Sequence, residues 1–306
     1  MSFSPFTVKT PASTANLGPG FDSIGLALPI FQTIEVEPSS RWNVSYKQDE
    51  FQHLPVDDTN LILKTIQEVA AFAEKACPAA TLTVSSDIPL SKGLGSSAAA
   101  IAAGIVIADR LMGLEMSLDE QIKTASDIEG HPDNVSASLA GGLTVSRYED
   151  DELVSVSLPA EGFSVIIMAP EAELETKESR GVLPQSLTHR DAVLASAAAN
   201  VMVASLITGN FKKAGSVMMK DTFHEPYRKP FFPQLEDIKD FACKSGAFAV
   251  TISGAGPCIS IFAEDARVSP ITEHLKGRYD GYQTIQLKPV NQGTLLIEQH
   301  LNRLSV

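Results

Sequence analysis

Apolar and polar positions alternate in short runs through the first fifty residues. Residues 6–10 (FTVKT), 33–38 (TIEVEP) and 42–46 (WNVSY) each place hydrophobic side chains two apart, which predicts half-buried strands. From residue 60 the period lengthens: Leu61, Ile62, Ile66, Val69, Ala70 and Phe72 recur at helical spacing and predict a helix over 60–76, ending before Pro78. Residues 80–89 (ATLTVSSDIP) return to a strand pattern. Residues 98–113 are apolar almost all round and close on Gly113, so this helix belongs at the centre of its domain. Ser117 with Glu120 three residues later forms a capping-box pattern that opens a helix ending at Gly130. The segments GGLTVSRYED and LVSVSLP read as the closing strands of this half.

A second set begins at residues 163–170 (FSVIIMAP), with helices over 190–209 and 234–246 and strands at AFAVTIS, CISIFA and YQTIQL. Strands and helices mix without strict strand-helix-strand repetition, which argues for α+β architecture in both halves. A chain of 306 residues exceeds a typical single core, so two domains sharing a cleft are expected, residues 1–158 and 159–306. Internal repeats and low-complexity tracts are absent.

Charge narrows the partners. The net charge is −13, spread along the chain, a field that repels nucleic acid and anionic membrane surfaces. No apolar run approaches the ~18 residues of a membrane span, and MSFSPFTVKTP lacks a basic segment followed by an apolar core, so a cytoplasmic location is expected. Cys77, Cys243 and Cys258 are far apart with no CxxC pair, and the six histidines show no HExxH spacing, which argues against a disulfide framework and zinc chemistry.

The stretch PLSKGLGSSAAA, residues 89–100, carries the candidate chemistry. A strand delivers a glycine-rich turn to the start of a buried helix; Gly93 and Gly95 permit close backbone approach, and Ser96 or Ser97 can cap the helix. Free amides and the positive end of the helix dipole then converge on one point, an anion site. The run is neither GxxxxGK[ST] nor GxGxxG, and a strand-helix junction needs Gly and Ser for capping too, so spacing alone leaves both readings open.

The run P-x-S-K-G-L-G-S-S-A-A closely resembles the nucleotide-binding motif of the GHMP small-molecule kinases. Residues 11–28 (PASTANLGPGFDSIGLAL) are similar to that family's first motif and residues 253–260 (SGAGPCIS) to its C-terminal glycine-rich motif, in matching order. Within the family, PASTANLGPGFDSIG, EGHPDNVSASLAGG and TKESRGVLP look like the homoserine kinases. Those enzymes commonly read P-A-T-S-A-N where this chain has Pro11-Ala12-Ser13-Thr14-Ala15-Asn16, an exchange of small hydroxyls. The resemblance implies a two-domain GHMP kinase fold: an N-terminal nucleotide-binding domain like the second domain of ribosomal protein S5, a C-terminal ferredoxin-like sandwich, and a homodimer. It also implies ATP-dependent, Mg²⁺-assisted phosphorylation of the L-homoserine hydroxyl in threonine biosynthesis.

On this resemblance Pro89, Leu90, Ser91, Lys92, Gly93, Leu94, Gly95, Ser96, Ser97, Ala98 and Ala99 bind ATP, with Lys92 either touching phosphate or facing solvent. Ser97 and Glu129 are the expected Mg²⁺ ligands. Arg180 and Arg228, read as lying in non-helical turns, are candidates for a carboxylate because a planar guanidinium grips it at two points; each alone is equally a solvated surface arginine. Asn16 and Asp22 bracket a turn and suit an ammonium, although an Asx-turn explains them as well. Thr176 and Gly254 complete the substrate set, Gly254 bringing the second domain's backbone towards the phosphate. His131 is expected to orient substrate or contact phosphate, and Asn134 to orient the hydroxyl. Asp133, one step along a helix from Asn134, can cap that helix and is expected to face away from the substrate. A GHMP kinase for another small alcohol would have little use for Asp22 opposite two arginines. A non-catalytic relative should have lost Glu129, Ser97 or the loop glycines, and all are present.

Overall fold

The computed structural model describes residues 3–149 and 152–298. In chain order the first half contains β1 (Phe6–Ala15), β2 (Ile24–Pro38), β3 (Asn43–Tyr46), α1 (Leu61–Phe72), β4 (Ala80–Ser86), α2 (Ser96–Met112), α3 (Leu118–Glu129), α4 (Asp133–Ala140), β5 (Leu143–Glu149) and β6 (Glu152–Leu158). The second half follows as β7 (Phe163–Pro170), α5 (Thr176–Gly181), α6 (His189–Ile207), α7 (Phe211–Met218), α8 (Glu225–Arg228), α9 (Leu235–Lys244), β8 (Ala249–Ile252), β9 (Ile259–Glu264), α10 (Val268–Arg278), β10 (Tyr282–Leu287) and β11 (Leu295–Glu298).

Two sheets organise these elements. One runs β11-β1-β2-β4-β3, with β5 added to β2 and β6 to β5; the other is a four-stranded sheet in the order β10-β7-β9-β8, antiparallel throughout. β1 and β2 pair from Phe6↔Val36 to Ala15↔Gly25, and the register shifts between Pro11 and Ala12. A proline has no amide to donate to the ladder, so the irregularity falls where the ladder is weakest. The expected division after residue 158 lies between the last of the first-half strands and β7, but β11 crosses it and pairs with β1 in the first sheet.

Local sequence explains the elements around the site. Asn60 caps α1, its side chain accepting from the Ile62 and Leu63 amides. Ser117 and Glu120 form the anticipated capping box, and Gly113 and Gly130 close α2 and α3 in the left-handed conformation. α2 is buried along most of its length, and at Gly104 it approaches α1 so closely that a Cβ would strike the Thr65 side chain. One apolar cluster takes Leu26, Leu28 and Ala99 from the first half and Phe163, Val165, Met202 and Phe262 from the second, so the halves share a core.

Several expectations need correction. The helix from residue 60 stops at Phe72; Ala73 caps it and Glu74 turns left-handed. Arg180 and Arg228 do not lie in turns: each sits in a short helix, α5 and α8. α7, α10 and β11 were not anticipated. The 19-residue α6 is long and apolar enough by composition to cross a membrane, contrary to the expectation that no run approaches that length. Its side chains nevertheless sort by face, with Ala195, Ala198, Met202, Ser205 and Leu206 buried and Val193, Leu194, Val201 and Ile207 exposed.

Candidate active site

Two loops meet between the sheets. The β1–β2 loop folds on itself: the Asp22 amide donates to Asn16 Oδ1 (3.1 Å), and Asn16 Nδ2 donates to the Gly254 carbonyl (3.1 Å). Asn16, Leu17 and Asp22 all have positive φ, at 72°, 49° and 53°. Non-glycine residues in this region cost about 1–3 kcal/mol each. Burial of Asn16 and Leu17 holds them there, a strain of the kind that gathers at functional sites.

The second loop carries the chain from β4 to α2. Gly93 and Gly95 have φ of 73° and 70°. A Cβ on Gly93 would meet the Ser253 and Gly256 backbone, and one on Gly95 would meet the Ser13 hydroxyl and Asn134 amide. Close approach as well as conformation therefore demands glycine. α2 starts without a side-chain cap, so its first-turn amides and the positive end of its dipole are left for a ligand. Lys92 neither faces solvent nor is left free for phosphate: Nζ donates to the carbonyls of Pro170 (3.0 Å), Glu171 (2.7 Å) and Ala172 (2.6 Å), which occupies all three ammonium protons.

These loops border a cavity of about 490 Å³. Every anticipated site residue lines it except Ala98 and Ala99, whose side chains are buried in the core and of which Ala99 has its amide bonded to the Gly95 carbonyl. One end has an apolar wall from the β3–α1 connection, including Tyr46, Phe51, Leu54 and Pro55. Sequence reasoning missed this wall because Tyr46, at the end of β3, was read only as a strand position and Phe51, Leu54 and Pro55 fall in a loop with no period to mark them.

Within the cavity lining, Ser97 Oγ donates to Glu129 Oε2 over 3.1 Å. Burial raises the Glu129 pKa above the ordinary carboxylate range, with His131 and the Ser97 hydrogen bond opposing it. Octahedral Mg²⁺ with ligands at about 2.1 Å places neighbouring oxygens about 3 Å apart, so this hard-oxygen pair fits that ion.

The far end gathers charge. Arg180 grips Asp22 at both oxygens (2.5 and 3.1 Å). Arg228 is 1% exposed and has only uncharged acceptors: Nε donates to the Ser179 carbonyl (3.2 Å), and Nη1 donates to the Gly254 carbonyl (2.8 Å) and His224 Nδ1 (3.1 Å). Burial and the neighbouring Arg180 charge pull its pKa down to about 10. Phe21 lies against both arginines, its ring centre 5.5 and 5.6 Å from their guanidinium carbons. A buried guanidinium with no ion-pair partner among the described residues is arranged to receive an anion.

Asp133 does not face away. It opens α4, where first-turn amides lack partners, and its carboxylate turns back to accept from the Asn134 amide (2.8 Å) and bond His131 Nδ1 (2.7 Å). Burial opposes protonation of His131, but Asp133 outweighs it and raises the pKa. Ligand atoms of Asp22, His131 and Asp133 lie within 4.8 Å of one another, an acceptor cluster suited to a cation. Ser13, also missed in the sequence, donates to Asn134 Oδ1 (2.9 Å), and Asn134 Nδ2 spends one of its two N–H groups on Asp133 Oδ1 (3.4 Å), leaving the other for a ligand. Asn16 and Gly254 are committed differently from expectation: the Asn16 amide braces its own loop, and the Gly254 amide donates to the Ala15 carbonyl (3.2 Å).

Residues 60–142 match the GHMP kinases N terminal domain and residues 202–281 match GHMP kinases C terminal. The chain belongs to the GHMP kinases. Homoserine kinase of Bacillus licheniformis is 39% identical, covering 97% of each chain. Homoserine kinase of Bacillus pumilus is 38% identical over 98% of this chain and 96% of its own. The crystal structure of homoserine kinase from Cytophaga hutchinsonii superposes with a TM-score of 0.86 at 26% identity, covering 97% of this chain and 98% of that one. This GHMP kinase thus has the expected α+β two-domain fold of its family, with the cavity between its halves.

Proposed function

We propose that this GHMP kinase transfers the γ-phosphoryl group of ATP to the side-chain hydroxyl of L-homoserine, forming O-phospho-L-homoserine and ADP on the route to threonine. Buried Arg228, which lines the cavity and has no ion-pair partner among the described residues, carries this reading. Homoserine offers a carboxylate for Arg228 and Arg180 and an ammonium for the acceptors of Asp22, His131 and Asp133. The full-length likeness to homoserine kinases supports the same assignment.

The triphosphate is bound by backbone amides of the glycine-rich loop, residues 90–95, and the first turn of α2, with adenine against the apolar wall. Ser97 and Glu129 would hold Mg²⁺, which when bound would neutralise charge on the phosphate oxygens. Asn134, its carbonyl taken by Ser13, donates an N–H to the homoserine oxygen. That oxygen forms a bond to γ-phosphorus as the bond to the β,γ-bridging oxygen breaks and ADP leaves. An amide cannot accept a proton near neutral pH, so the hydroxyl proton passes to a γ-phosphate oxygen. Little charge builds on the attacking oxygen in a loose transition state, and positioning supplies most of the rate.

A cytoplasmic, homodimeric enzyme is part of the same reading, supported by the exposed apolar side of α6 as a self-association face. Measuring ADP release by purified protein across a panel of small alcohols, with and without Mg²⁺, tests the activity. Homoserine should exceed every uncharged alcohol, and equal turnover across the panel would reject it.

A further inference from the structure

The structure assigns His224 a place in the site: we infer that it is a positioning residue that aims Arg228 at the substrate carboxylate. This rests on the proposed homoserine reading. His224 is fully buried, just ahead of α8. Its Nδ1 lies 3.1 Å from Arg228 Nη1, and its Nε2 lies 3.1 Å from the Gly18 carbonyl and 3.5 Å from Asp221 Oδ2. A guanidinium has only donors, so Nδ1 must be the acceptor; Nε2 faces only acceptors and must carry the proton. The surroundings thus impose one neutral tautomer. Burial, the first cause of its lowered pKa, favours the same neutral form.

The two ring nitrogens connect different parts of the site. Nδ1 holds the guanidinium whose other contacts are the Ser179 and Gly254 carbonyls, and Nε2 holds the β1–β2 loop that carries Asn16 and Asp22. The imidazole also stacks on Phe21, with ring centres 5.5 Å apart and planes 26° apart, and Phe21 contacts both arginines. The loop that receives the ammonium and the arginine that receives the carboxylate are therefore set relative to each other through one side chain. Only a residue offering an acceptor towards Arg228 can replace it there. Asparagine can present its amide oxygen near the position of Nδ1, and leucine fills space without accepting.

The test compares wild-type enzyme with His224→Asn and His224→Leu, after circular dichroism confirms folding. Steady-state kinetics are measured with L-homoserine, with 3-aminopropanol, which keeps the amine and hydroxyl but lacks the carboxylate, and with varied ATP. In His224→Leu the homoserine KM should rise at least about thirtyfold while the ATP KM stays within about threefold, and the preference for homoserine over the amino alcohol should collapse. His224→Asn should retain most of that preference. A folded His224→Leu enzyme with wild-type discrimination, or one in which both substrates' KM values rise together, overturns the inference. So does a His224→Asn enzyme as impaired as the leucine variant. If His224→Leu fails to fold, His224→Gln, whose longer amide carries no acceptor at the Nδ1 position, takes its place, and an undiminished preference in that enzyme overturns the inference equally; if His224→Asn fails to fold, the leucine variant alone decides. Wild-type enzyme that does not distinguish the two substrates refutes the carboxylate reading itself, and the inference with it.

Discussion

Among the described residues Arg228 is the largest fully buried side chain, and it carries a charge. Burying a charge without an opposite partner is costly unless a ligand supplies one, so the two arginines should differ when removed. Arg180 already has Asp22 and serves both loop and ligand, whereas Arg228 has only neutral acceptors. Arg228→Ala is expected to lower kcat/KM for homoserine by about 2 to 4 kcal/mol with ATP affinity little changed, and Arg180→Ala by somewhat less. Unaltered homoserine kinetics in both would remove the carboxylate clamp. Glu129 yields a prediction with a definite sign. Its folded pKa is raised by burial, so the native state binds its proton more readily than the unfolded chain does. Stability from this residue is therefore present at low pH and lost as pH rises through the raised value. Glu129→Gln should raise the melting temperature above pH 7, leave it unchanged near pH 4, and abolish Mg²⁺-dependent activity. A lower melting temperature for the variant above pH 7 would contradict this. His131→Gln is expected to keep kcat within about tenfold, less than a lost general base costs. A three-decade loss in single-turnover rates, with the acid limb abolished, would make His131 the base.

At the scale of elements, legibility in the sequence followed element length and periodicity. α2 and α3 carried long patterns with glycine stops and a capping box, and both formed where those signals stood. α5 and α8 span six and four residues, too short for a helical period to register, and they form because tertiary packing offsets the cost of nucleation. Hence Arg180 and Arg228 were found as candidates while their settings were misread. The site motifs were legible because glycines and polar residues cluster at fixed spacings. Ser13, Phe21, His224 and the apolar wall were not, since their roles arise from contacts across more than a hundred residues or from an unpatterned loop. The glycine-rich loop makes a separable prediction. A side chain at Gly95 intrudes on both Ser13 and Asn134, which belong to the acceptor end. Gly95→Ala should therefore weaken nucleotide binding and lower kcat for homoserine together, as read by calorimetry and steady-state kinetics. Normal nucleotide binding in the folded variant would reject the phosphate-loop assignment.

Across the whole molecule, the phosphate loop is fastened to the second half by Lys92 at the Pro170, Glu171 and Ala172 carbonyls and by Ser253 Oγ donating to the Gly93 carbonyl (2.7 Å). The Lys92 anchor lies just ahead of α5, which bears Arg180, so the nucleotide loop and the acceptor end are mechanically joined. Lys92→Met should raise the homoserine KM by about tenfold and the ATP KM by less than about threefold. The reverse pattern would mean that Lys92 leaves its carbonyls for phosphate. β11 joins the two halves in another way. Its pairing along β1 sets residues 295–298 beside residues 6–9. During synthesis the first sheet must wait for residues 295–298 to leave the ribosome, with the edge of β1 exposed meanwhile. The nucleotide-binding half is begun before the second half and completed only after it, and a nascent chain stalled before residue 295 should remain a client of chaperones even though its phosphate loop was translated long before.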